Sequence, residues 1–393
     1  MALTADMLRI TFPYLAFISM TALSGAVLNS FRKFGLPAFT PVLHNVGVIL
    51  AMLLLARYFE VPAFALAWGV FIAGLLQLML LWPALGRLGL RPRLKLDLHH
   101  PGVKRVFGLM LPTIFSSSVA QLNLLVGTMF ASLLVANAQS WLYYSDRLVE
   151  FPLGLFGVAI GTVILPHLSR RHADTDTVGY SRALDWGLRM VTLISIPAAL
   201  GLALLAEPLC ATLFNYGQFT RHDTAMVAVS VTAMSLGVPA FMLSKVLLPA
   251  FYARQDTRTP MRAAVYTVFI NIGLTVLLVT PLWQQKVAAA HGGIALATAL
   301  AGIANAALLW RYLRRDGLYQ PESGWWRFSI QIVIGCVFMV LAVVALRGHV
   351  GDWSALPGHL RLAWLLLAVA AGAAAYSAGL LLAGLRPRHM RET

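Results

Sequence analysis

The sequence predicts an all-α, polytopic membrane protein, and three observations carry that reading. Hydrophobic residues make up 59% of the chain and charged residues only 11%, a balance far from that of soluble globular domains. The apolar residues gather into runs long enough to cross a bilayer, which takes about 20 helical residues. The basic residues, which give a formal net charge of +15 and an isoelectric point near 10.4, collect in alternate short loops between those runs, the pattern that sets orientation in a membrane. So basic a soluble protein would point to nucleic acid; here the loop distribution explains the charge, and no nucleic-acid partner is expected.

The runs fall at about 9–30, 38–57, 64–86, 106–134, 138–168, 183–206, 225–252, 261–283, 291–311, 327–347 and 360–385, eleven candidate helices in all. Several exceed the minimum length, which implies tilt. Arginine and lysine follow the first, third, fifth, seventh and ninth runs and the last, with Arg87, Arg91, Lys95, Arg170, Arg254 and Arg314 among them. The alternate loops hold few basic residues, so every second loop and the C-terminus are expected on the cytoplasmic side. The segment 87–105 reads as a basic surface hairpin that touches anionic headgroups. Cys210 and Cys336 lie on different runs without metal-ligand spacing and read as packing residues.

An internal repeat organises the runs. Leu23-Ser24 opens a segment matched by Leu243-Ser244, each followed by a basic loop, a proline and Asn-x-Gly, namely Asn45-Val-Gly47 and Asn271-Ile-Gly273. Ala73-Gly74 before Leu80-Leu81-Trp82 returns as Ala301-Gly302 before Leu308-Leu309-Trp310. The first run therefore matches the seventh and the third the ninth, a six-helix unit repeated in parallel. On this reading residues 1–105 are the back half of one lobe, 106–315 a complete six-helix lobe, and 316–393 an added helix pair with a basic tail. Three helices are expected to be missing before the first run.

The fifth run carries the chemistry. Trp141-Leu-Tyr-Tyr-Ser-Asp-Arg-Leu-Val-Glu150 places Asp146, Arg147 and Glu150 in an apolar segment, where each charge costs roughly 2.5–3.5 kcal/mol or more on insertion scales. Asp146 and Glu150 are four apart and Arg147 and Glu150 three apart, so the three share a helical face. Such a group either holds helices together as an ion-pair cluster or lines a wet cavity, and its cost favours the cavity. Arg147 suits a diphosphate, because a guanidinium offers paired N–H groups to phosphate oxygens; Asp146 and Glu150 would hold it between substrates. Pro152, Gly154, Gly157 and Gly161 follow and permit a kink and close helix approach. Ser140 and Tyr144 add hydroxyls toward the outer end, where Tyr143 and Tyr144 have an interfacial alternative. Lys245, on the seventh run, either enters the same cavity or snorkels toward an end. Gln121, Asn123, His44 and Asn45 are weaker candidates, with interhelical hydrogen bonding as the competing role.

No His-Glu-x-x-His, P-loop or Gly-x-Ser-x-Gly segment occurs, so neither catalysis nor a cofactor or metal is expected. Transport would then draw on ion gradients, membrane potential or substrate supply.

Several segments resemble the MurJ/MviN lipid II flippases of the multidrug/oligosaccharidyl-lipid/polysaccharide exporter superfamily. These are Arg9-Ile-Thr-Phe-Pro-Tyr14 with Gly25-Ala-Val-Leu-Asn29, Trp141 through Pro152, Gly157-Val-Ala-Ile-Gly-Thr162 with Leu165-Pro166, and Pro249-Ala-Phe-Tyr-Ala-Arg-Gln-Asp256. The resemblance implies two six-helix lobes around a V-shaped cavity, with a C-terminal pair whose groove receives the lipid tail. It implies movement of undecaprenyl-diphosphate-linked disaccharide-pentapeptide from the cytoplasmic to the periplasmic leaflet of the bacterial inner membrane by alternating access. Membrane lipids and other cell-wall synthesis proteins are the implied partners. Arg147 matches a cavity arginine of the family, Asp146 and Glu150 its acidic neighbours, and Ser140 a cavity-lining position. The family's other cavity arginines lie in helices this sequence lacks. Some relatives bind sodium through acids on two helices where this chain carries Asn123 and Asn271, so no sodium site of that type is expected. A flippase for another polyprenyl-diphosphate glycan, or a drug exporter of the same superfamily, is the nearest alternative. A membrane-embedded glycosyltransferase is a different one, and it would need larger outer loops. A non-transporting scaffold is a third.

Overall fold

A computed structural model describes residues 2–31, 33–90, 101–135 and 137–385, and among them helices joined by short connections are the only regular structure. Among the described residues nine helices are long and apolar enough to cross a membrane, or ten when a bent pair counts as one span. The chain divides into two compact units, Met1–Lys104 and Arg105–Thr393.

The first unit holds α1 (Ala2–Thr11), α2 (Tyr14–Ser30), α3 (Gly35–Leu55) and α4 (Ala63–Arg87). The first expected run thus divides around Phe12 and Pro13, because a proline disfavours helical backbone at the residue before it. Helix α4 packs on α2 and α3 through small residues. A β-carbon at Gly69 would lie 2.8 Å from that of Ala51, and one at Gly74 would lie 2.4 Å from the Tyr14 ring, so backbones approach as in other membrane bundles. Pro41 lies inside α3 and cannot donate to the Pro37 carbonyl. The Thr40 hydroxyl donates there instead at 2.8 Å, and buried Gln77 of α4 donates to the Thr40 carbonyl at 2.7 Å.

The second unit runs from α5 (Pro101–Leu134) through α6 (Ala138–Pro152), α7 (Val158–Ala173), α8 (Thr177–Leu204), α9 (Ala206–Leu213), α10 (Arg221–Ser235), α11 (Val238–Tyr252), α12 (Arg258–Gln284), α13 (His291–Arg315) and α14 (Trp325–Val350) to α15 (Gly358–Leu382). The fourth expected run lies on α5. The kink expected after Pro152 is a π-helical turn, Leu153–Gly157, joining α6 to α7; such turns cluster at functional segments. The expected run 225–252 is two helices, α10 and α11, bent by 46°. Pro239 near the start of α11 clashes with the carbonyl four residues back, and Gly237 lets the bend press against Ala299, 2.8 Å from where a β-carbon would sit. The short helix α9 was not legible as a separate element.

Buried polar groups fasten α14 and α15 to this unit at both ends. Asp185 of α8 is 1% exposed and accepts from Tyr319 Oη, Trp325 Nε1 and Arg189 Nε, each at 2.7 Å. At the opposite end Arg361 of α15 donates to the carbonyls of Leu356, Ala211, Asn215 and Ser354, while Arg347 bonds the Leu204 carbonyl and Glu207. Cys210 and Cys336 are buried free thiols.

Candidate functional site

Helix α6 owes its placement to a stripe at Ala138, Trp141, Ser145, Leu148 and Pro152, all buried at the three-and-four spacing of one helical face. That face packs on α10, and Ser145 donates to the Trp141 carbonyl within the helix at 2.6 Å. Ser140, Tyr143, Asp146, Arg147 and Glu150 consequently lie off the packed stripe. Four of these, with Tyr144, border a cavity of about 610 Å³ that α5, α6, α10, α12 and α13 enclose: Ser140, Tyr143, Asp146 and Arg147. Asp146 and Arg147 are its charged lining residues.

Arg147 is held but not consumed. Its Nη1 donates to Glu150 Oε2 at 2.6 Å, with the two side chains 55% and 59% exposed, and its guanidinium lies 5.0 Å from the centroid of the Tyr143 ring. The remaining N–H groups form no hydrogen bond to described residues. Among the described residues Glu150 is the ion-pair partner of Arg147 and Asp146 is not, and Glu150 itself does not border the cavity.

The other expected residues divide. Tyr144 borders the cavity and its ring packs 4.7 Å from that of Phe214, a packed position in place of a free interfacial anchor. Lys245 is exposed on α11 and does not line this cavity; its stem passes 3.3 Å from where a Gly157 β-carbon would sit. Gln121 is exposed on α5 and also outside the lining. Asn45 is exposed on α3 of the first unit, where His44 stacks near Tyr14. The Asn123 side chain lies outside the described residues. Four further polar residues line the cavity: Thr128, Gln139, Asn271 and Thr298. Gln139 donates to the Thr128 carbonyl at 3.2 Å and so ties α6 to α5. Asn271 had a signal, since the repeat pairs it with Asn45; the others had none.

Helical spans bundled around a cavity with a guanidinium on its wall define a multi-pass integral membrane protein. Comparisons with known proteins narrow this. Residues 1–357 match the family described as "Lipid II flippase MurJ". The lipid II flippase MurJ of Burkholderia cenocepacia is 45% identical over 335 residues, covering 84% of this chain and 64% of that protein. The probable lipid II flippase MurJ of Vibrio cholerae is 41% identical over 389 residues, covering 99% of this chain and 73% of the relative. A solved lipid II flippase MurJ in an inward closed conformation superposes with a TM-score of 0.77 at 24% identity, covering 95% of this chain and 73% of that one, which shows a shared fold. The chain belongs to the MurJ lipid II flippase family. It spans about two thirds to three quarters of the length of these relatives.

Proposed function

We propose that this chain acts in flipping lipid II, the undecaprenyl-diphosphate disaccharide-pentapeptide, from the cytoplasmic to the periplasmic leaflet by alternating access, without catalysis. The observation that carries this reading is Arg147: a guanidinium bordering a cavity of about 610 Å³, restrained by one carboxylate and with N–H groups to spare. A diphosphate displaces Glu150, since it offers more negative charge and a matching pair of oxygens to the planar fork. Tyr143 beneath the guanidinium keeps it oriented during the exchange. Ser140, Tyr144 and Asp146 contribute polar lining, and Lys245 lies off this path. Residues 1–105 form the back half of one lobe, 106–315 the other lobe, and 316–393 the pair that receives the lipid tail. The chain sits in the bacterial inner membrane with its C-terminal end cytoplasmic, in agreement with its basic loops.

The test is lipid II exposure in cells depleted of their own flippase, read by a periplasmic enzyme that cleaves only outward-facing lipid II. The chain, extended by the N-terminal helices of a relative, restores exposure; the same protein carrying Arg147→Ala is made in the membrane and does not. Normal exposure in the Arg147→Ala strain would overturn the assignment.

A further inference from the structure

A second cavity, of about 490 Å³, adjoins the first at the end of α6. Ser140 and Tyr144 border both, so this stretch of α6 is their common wall. The volume lies within the range of small-molecule sites, about 300–1,000 Å³. Its sides are unusually aromatic for a polar pocket: Trp141, Tyr144, Phe214, Tyr216 and Phe219 all border it. Tyr144 meets Phe219 edge to face at 5.3 Å, which braces the platform.

The charges at this pocket are already taken. Asp223 accepts from Thr220 N at 2.9 Å, Thr220 Oγ1 at 2.6 Å and Trp141 Nε1 at 2.8 Å; it caps α10 and fixes the indole. Arg361, 5.9 Å from the Tyr216 ring centroid, spends its N–H groups on four backbone carbonyls. What remains for a ligand is neutral. The Asn137 and Gln218 side chains and the Ser140 hydroxyl are exposed and bond no described residue. Each amide offers both donors and an acceptor. Of the rings, the exposed Tyr216 offers a face with negative potential, set beside Trp141, which is buried against His222 and His291, and Tyr144, Phe214 and Phe219, which pack on one another. A pyranose matches this pairing, with polarised C–H groups on its faces and hydroxyl or acetamido groups around its rim. A cation would need a free acid and a phosphate a free base, and the pocket has neither to give.

We infer that this pocket binds a neutral acetamido sugar, the glycan portion of the translocated lipid. The inference rests on the flippase reading above and assigns that substrate's glycan to its own subsite. Ser140 and Arg147 are seven residues apart on α6, about 10 Å along the axis, so a disaccharide joined to a diphosphate at Arg147 extends into the pocket. Ser140 and Tyr144 border both cavities, so the two lie side by side along α6.

The experiment uses the full chain in detergent. N,N′-diacetylchitobiose, a neutral acetamido disaccharide, is followed by saturation-transfer NMR, and inorganic pyrophosphate by phosphorus line broadening. Chitobiose receives saturation from the unaltered chain, loses at least threefold of the effect in an Asn137→Ala/Gln218→Ala double variant, and keeps it in Arg147→Ala. Pyrophosphate broadening shows the reverse dependence. Both altered amides are exposed and unbonded, so the double variant folds; its unchanged pyrophosphate response confirms that. Absence of chitobiose transfer, or transfer lost only in Arg147→Ala, overturns the proposal. Sugar transfer without any pyrophosphate response leaves the pocket standing and counts against the diphosphate reading instead. In the cell assay, the double variant in the extended chain slows lipid exposure at least threefold. An unchanged rate would mean that the pocket serves soluble glycans and would overturn its link to the lipid.

Discussion

Arg147 and Asp185 show how differently two charged side chains in one bundle are used. Arg147 is restrained by a carboxylate that is itself more than half exposed, and exposed pairs contribute about 0–1 kcal/mol. Glu150→Gln therefore lowers unfolding stability in detergent by under about 1 kcal/mol. Arg147→Lys keeps the charge but loses the planar fork, and it slows lipid exposure about tenfold, equivalent to about 1.4 kcal/mol. Asp185 is buried with three donors aimed at it. Removing it strands the Arg189 charge, so Asp185→Ala costs about 3–5 kcal/mol, measurable as a large drop in the denaturation midpoint. Burial and the Asp185 bond also raise the Tyr319 hydroxyl above its ordinary pKa, so it stays a donor throughout the physiological range. Asp256 contributes to the pH dependence, as Asp176 and Asp223, also held below the ordinary carboxylate value, do. Burial pushes the Asp256 carboxyl up, but hydrogen bonds from Thr259 and the Arg258 amide outweigh that and leave its pKa below the ordinary carboxylate value. The folded-state pKa being the lower one, this stability is present above about pH 4 and is lost as pH falls through the depressed folded value. Asp256→Asn flattens the acid limb of the stability profile.

At the scale of elements, small residues and prolines decide where helices bend and how closely they pass. Helix α11 crosses α7 at Gly161, where a β-carbon would lie 2.9 Å from the Lys245 carbonyl oxygen. Backbone cannot yield as a side-chain tip can, so Gly161→Leu forces α7 and α11 apart. The variant loses thermal stability in detergent, by more than a leucine placed at Gly154, which has nothing within 4 Å. These close approaches were legible in part: Gly157 and Gly161 stood out after Pro152, but the helix they meet did not. The bend at Gly237 and Pro239 does not show in the hydropathy of 225–252, because a hydropathy run carries length without direction. The π turn and α9 were hidden for the same reason, since hydrogen-bond register leaves no trace in hydropathy.

For the whole molecule, the basic loops predict the orientation in the membrane. Alkaline phosphatase fused in the α12–α13 connection, near residue 289, is expected to be active, and fused near residue 317 inactive, with a cytoplasmic reporter giving the opposite pattern. The reverse result would put the aromatic pocket on the cytoplasmic side. The class of fold was determined by the sequence alone, because it depends on local quantities: a run's length and polarity and the placement of arginines in loops. What only the tertiary structure decided is which groups meet. Asp185 finds Tyr319 and Trp325 across 134 and 140 residues of chain, and Asn271 and Thr298 reach the cavity from helices far along the sequence. Lys245 and Glu150, equally prominent as intramembrane charges, fall outside that lining. Helix rotation and bending select among them, and both are set by packing between segments distant in sequence.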